Sequence, residues 1–148
     1  MAGSDADRAL AGREEFAIGP IAVRFVLDGT ATGGALSIFE FDIPPGTTFP
    51  VPHRHDGYDE TIYGLEGTMT WVVGDAETVV APGDALFIPR RTAHRYVNTS
   101  SATVRELAIV TPGTLGPAYF RELEAAVESG DRDAIEAAMR RHGVTPLW

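Results

Sequence analysis

The sequence contains no cysteine and no lysine, so every one of its 12 basic residues is arginine. The first absence excludes a disulfide scaffold, an iron–sulfur cluster, a thiolate zinc site and cysteine nucleophiles. The second excludes Schiff-base chemistry through a lysine amine. Positive charge is also scarce: against 21 acidic residues the formal net charge is -9. No basic stripe is available to neutralise phosphates, which excludes nucleic acid and an anionic membrane as partners. No apolar run approaches the ~20 residues of a bilayer span, and the opening Met-Ala-Gly-Ser-Asp-Ala-Asp-Arg lacks the hydrophobic stretch of a secretory signal. A soluble, cytoplasmic chain is expected. What is present, 148 residues of which 44% are apolar, suffices for one globular domain with a real core.

Residues 1–15 are small, polar and charged and read as a flexible arm. From Phe16 to Pro112, short β-branched and aromatic runs alternate with glycine and proline punctuation: 21–27, 35–43, 47–55, 60–65, 68–73, 77–80, 85–89, 94–98 and 104–110. So many short strands, separated by turn signals such as Asp28-Gly29 and Pro82-Gly83-Asp84, predict an antiparallel sandwich or barrel. After Pro112 the period changes. Phe120, Leu123 and Val127 recur at helical spacing, and Ile135 and Met139 mark a second amphipathic stretch. Pro117 suits a first helical position, Gly130 a C-cap, Asp131 the next N-cap and Gly143 the final stop. Residues 113–148 are therefore expected to be two short helices forming an appendage.

Three of the four histidines, His53, His55 and His94, fall inside the β-region. On an extended strand His53 and His55 project from one face, so both imidazoles can reach one ion. Glu60 follows after a short Asp-Gly-Tyr-Asp loop that can return a carboxylate to them. His94, from a distant strand, completes a set of three nitrogens and one oxygen. That set suits one divalent transition metal, Fe, Mn, Ni, Co, Cu or Zn. His142, in the last turn of a helix, is read as a helix-end residue and not as a ligand.

Gly46, six residues, His53-Arg54-His55, four residues, Glu60, six residues and Gly67 closely resemble the first motif of the cupin superfamily. Gly83-Asp84, Pro89, His94 and Asn98 resemble its second motif, with Arg91 where the family usually has glycine. The resemblance implies an all-β fold, a double-stranded β-helix or jelly-roll barrel of six to ten strands carrying the two short C-terminal helices. It also implies that His53, His55, Glu60 and His94 are metal ligands in the barrel mouth, and that the chain is a homodimer. Arg91 asks a non-glycine residue to fill a turn that often needs a positive φ.

Strand parity places Phe49, Val51, Met69, Trp71, Phe87 and Tyr96 as candidate walls of a substrate pocket, with Val73 and Asn98 on the same inward faces. Such a pocket favours a small aromatic or hydrophobic substrate over a sugar phosphate, which demands basic residues. Arg90, Arg91 and Arg95 are expected at the rim or surface, with Arg90 the exception if one exists. The resemblance points first to a mononuclear metal-dependent dioxygenase like the quercetinase-like cupins. The alternatives are a metal-dependent isomerase or lyase, in which Glu60 or Tyr96 moves a proton, and a non-catalytic cupin that binds a small ligand.

Overall fold

A computed structural model of the chain describes residues 13–49 and 51–148. The first 12 residues of the expected arm lie outside this range. Eleven strands and two helices follow in order: β1 (Glu15–Ile18), β2 (Ile21–Leu27), β3 (Ser37–Ile43), β4 (His53–His55), β5 (Asp59–Glu66), β6 (Met69–Val73), β7 (Ala76–Val80), β8 (Ala85–Ile88), β9 (His94–Val97), β10 (Val104–Thr111), α1 (Pro117–Ser129), α2 (Arg132–Arg141) and β11 (Val144–Pro146). The strands form two sheets, β1-β2-β3-β10-β5-β8 and β11-β4-β9-β6-β7, whose inner faces enclose the core. This is the double-stranded β-helix fold with two short C-terminal helices.

Two-residue alternation builds the sheets. β3 and β10 bury every second residue, among them Phe39, Phe41, Val104, Ala108 and Val110, and pair over seven positions from Val104 with Ile43 to Val110 with Ser37. The outward residues of these strands carry charge: Asp42 accepts hydrogen bonds from Arg24 at 2.8 and 2.9 Å and from Arg105 at 2.8 Å. At Gly64 the chain passes so close to the β7–β8 turn that a Cβ would meet the Ala81 carbonyl oxygen.

Three differences from the sequence expectation have physical causes. The run 47–55 is a strand only over His53–His55, because the Phe-Pro-Val-Pro stretch before it removes ladder donors. The β-region begins at Glu15, with β1, and the strand count exceeds ten because the tail ends in β11. Residues 113–148 are thus more than a helical appendage. Val144–Pro146 pair with His55–His53, while β4 meets β9 at one register position, His53 with His94. The helix signals lie where expected: Pro117 opens α1, Gly130 closes it in the left-handed conformation, and Asp131 caps α2 by accepting from the Asp133 N–H. Among the described residues no helix is long and apolar enough to cross a membrane.

Candidate metal centre

β4, β9 and β5 bring the predicted ligands together. His53, His55 and His94 are buried, and their ring nitrogens lie within 4.8 Å of one another. Glu60, from the opposite sheet, places Oε2 3.6 Å from His55 Nδ1 and 3.6 Å from His94 Nε2. The backbone orients two of the rings. His53 Nδ1 lies 2.8 Å from the Val51 carbonyl oxygen and His94 Nδ1 2.9 Å from that of Thr92, so each Nδ1–H donates outward and each Nε2 lone pair is left for the centre. His55 is fixed by stacking on Tyr58, with ring centroids 4.6 Å apart. Its Nδ1 and the Nε2 of His94 are buried without a hydrogen-bond partner.

The electrostatics describe a site that lacks a compensating charge. Burial pushes His53 down to about 3 and holds His55 and His94 below the usual imidazole range, with neighbouring imidazoles adding to the effect at His53 and His55. These rings are neutral, the form that ligates a metal. Burial pushes Glu60 up to about 8, and the charge of Glu106 adds to it. Orphaned nitrogens and an unpaired carboxylate facing one another at these distances are the donor set that a divalent transition ion satisfies, so the residues present fit one.

A cavity that opens to solvent at its mouth surrounds the site. Phe49, Trp71 and Tyr96 line it as the sequence suggests. Val51 and Met69 are fully buried in the core and do not reach the cavity. Phe87 is 57% exposed on the outer face of β8; Ile88 is that strand's buried residue, so the parity assigned to Phe87 is reversed. Asn98 is buried but structural, its amide donating to the carbonyls of Ile43 and Ala102, and Val73 packs half-buried against the core. Tyr96 is held protonated far above its usual range, first by burial and then by Glu60. It can donate a hydrogen bond, but it is a poor base.

Among the described residues no arginine lines the cavity. Arg90 is bound to Asp59 outside it, and Arg91 and Arg95 are exposed. Arg91 has φ 66°, the left-handed turn anticipated at this position, and its N–H donates to the His55 carbonyl at 2.6 Å. His142 is no ligand; its Nε2 lies 3.2 Å from Glu122 Oε1.

Two features were not read from the sequence. Glu106 is completely buried beneath Trp71, whose Nε1–H donates to its two carboxylate oxygens at 3.3 and 3.2 Å. Burial pushes this carboxyl up to about 7, opposed by the indole hydrogen bond. Its alternation on β10 is visible in the sequence, but an acidic residue at an inward position carries no signal of its own. The second feature is the share of the cavity wall made by Ile18, Ile21 and Val23 of the first hairpin and by Leu115, Tyr119 and Phe120.

Comparison with known proteins accords with this geometry. Residues 39–110 match the family model of the cupin domain. A quercetin 2,3-dioxygenase of Bacillus subtilis is 34% identical over 100 residues, 68% of this chain and 29% of that protein. The chain thus spans less than a third of that relative's length. Among solved structures, a "predicted oxalate decarboxylase" of Thermotoga maritima superposes with a TM-score of 0.61 at 21% identity, covering 68% of this chain and 91% of that one. A sugar phosphate isomerase of Silicibacter pomeroyi gives 0.56 at 22% identity, covering 68% and 70%. At these identities the two structures share the fold.

Proposed function

The chain belongs to the cupin superfamily, and on that premise we propose that it is a mononuclear metal-dependent dioxygenase acting on a small aromatic or hydrophobic substrate. The observation that carries this reading is the combination of a His53–His55–His94–Glu60 donor set with a cavity walled by aromatic and aliphatic side chains and, among the described residues, free of arginine. The likeness of the aligned 100 residues to a quercetin 2,3-dioxygenase supports the same substrate class.

A divalent transition ion held by these four residues supplies Lewis-acid and redox chemistry at the coordination positions that protein ligands leave open. The chain's own residues do the rest. The three imidazoles, neutral and oriented by backbone carbonyls, fix one point in the cavity. Glu60, whose Oε2 faces the His55 and His94 rings, is the group placed to accept the proton of a substrate hydroxyl when its carboxyl is ionised beside the ion. Tyr96 donates a hydrogen bond to substrate oxygen. The aromatic walls bind an uncharged ring and exclude bulk water. A phosphorylated sugar or a dicarboxylate, by contrast, would find no cation in the wall.

Reconstitution with Fe(II), Mn(II), Ni(II) or Zn(II) followed by elemental analysis should find about one ion per chain, with affinity falling as pH drops below about 8, where the Glu60 carboxyl must release a proton to ligate while the imidazoles stay neutral. Oxygen uptake with flavonols, catechols and β-diketones on the loaded forms then tests the reaction. Turnover of such compounds without uptake selects the isomerase or lyase reading; tight binding without turnover selects the ligand-binding one. The proposal also includes the cytoplasm as compartment, consistent with a cysteine-free chain, and a homodimer, which light scattering showing only monomer removes.

A further inference from the structure

Part of the cavity wall comes from outside the matched domain. Leu115, Tyr119 and Phe120 belong to the C-terminal segment, and three anchors hold it in place. The buried Ser37 hydroxyl donates to the Leu115 carbonyl at 2.8 Å. Phe120 packs into the Phe16–Phe25–Phe39 cluster, its ring 5.1 Å from that of Phe39. Glu124 accepts from the Ala17 N–H at 2.9 Å. The Tyr119 ring rests 5.4 Å from that of His142.

Tyr119 is 3% exposed and lines the cavity, close enough to Glu60 for that carboxylate's charge to act on it. Its hydroxyl is not one of the fully enclosed orphan atoms, and among the described residues it makes no hydrogen bond. A tyrosine hydroxyl that faces a ligand cavity without a protein partner is positioned to meet one on the ligand. Its burial and the nearby carboxylate keep the phenol protonated, so it serves as a donor.

We propose that α1 is the specificity wall of this site, with Tyr119 donating a hydrogen bond to a substrate oxygen and Phe120 bounding the space for the substrate's ring. The assignment rests on the aromatic-substrate reading above and names where its selectivity resides.

The test uses full-length Zn(II)-loaded protein, which binds without redox turnover. Replacing Trp148, half exposed at the C-terminus, with Phe leaves the cavity-lining Trp71 as the single fluorescent indole. Titrating 3-hydroxyflavone and flavone, which differ by one hydroxyl, reads out the hydrogen bond. Tyr119→Phe should weaken 3-hydroxyflavone by about tenfold, the scale of one hydrogen bond, and leave flavone, metal content and melting temperature unchanged. Phe120→Ala should weaken both ligands equally. If Tyr119→Phe shifts both ligands alike, or neither, while wild type binds them, the assignment is wrong and the substrate class stands. If the metal-loaded wild type binds neither ligand, and its Fe(II) form takes up no oxygen with flavonols, the underlying reading fails and the assignment fails with it.

Discussion

Arg105 and Glu106 are neighbours on β10, yet they belong to opposite electrostatic worlds. On the outer face of the sheet, burial alone would raise Asp42, but hydrogen bonds from Arg24 and Arg105 outweigh it and hold the carboxyl down at about 2. On the inner face, Glu60 and Glu106 have no arginine, and burial pushes them up to about 8 and 7. The same strands therefore carry carboxylates whose charge is answered and carboxylates whose charge is not. A structural ion pair needs only the first kind. The second kind is costly to keep inside a core, and the proposed function gives it a cation and a reacting proton.

Removing the inner charge should have the largest effect. Glu60→Ala, saturated with metal, is expected to lose ~10²–10⁴ in turnover, the range for a missing general base. Retention of more than about a tenth would make Glu60 a ligand only. His94→Ala should instead lose the metal itself, as elemental analysis would show.

Next comes the support of the ligand strand. Deleting residues 144–148 removes the strand that pairs with both His53 and His55. Metal affinity should fall ~10–100-fold, the scale of lost ligand support, and the melting temperature should drop. Competition with a chelator measures the first and calorimetry the second; an unchanged affinity would show that β9 alone fixes β4.

A pH series on the metal-free protein sharpens the contrast between faces. The three buried imidazoles have lowered values, so the unfolded chain binds their protons first, and stability falls as pH drops below ~6.5. Glu60 and Glu106 have raised values, so the folded chain holds their protons longer, and stability falls as pH climbs from the ordinary carboxylate range through about 7 and 8. Where the windows overlap, three imidazoles outweigh two carboxyls. The melting temperature should peak near pH ~6.5 and the alkaline fall should shrink when Zn(II) binds. Asp42, already ionised down to about 2, contributes no slope there. A melting temperature rising steadily to pH 9 would contradict the account. The smallest effect belongs to Arg91→Gly, which relieves a left-handed backbone worth ~1 kcal/mol and should raise the melting temperature by a few degrees.

The grouping of the candidate ligands was legible because motif spacing is local: His53 and His55 share a strand face, and a short loop returns Glu60. Arg91 was legible for the same reason. Phe87 was not, since Ala85-Leu86-Phe87-Ile88 offers no polar residue to fix which parity faces inward. The roles of Glu106, Tyr119 and β11 depend on contacts between distant parts of the chain, which hydrophobic periodicity in one segment cannot reveal.

The pairing of residues 53–55 with residues 144–146 also bears on the order of assembly. Contacts so far apart in sequence close late, after the hairpins β1–β2 and β6–β7 have had every chance to form. During synthesis the histidines of β4 emerge long before their strand partner does. On the metal-binding reading proposed above, full affinity for the ion arises only once β11 has paired with β4, late in assembly.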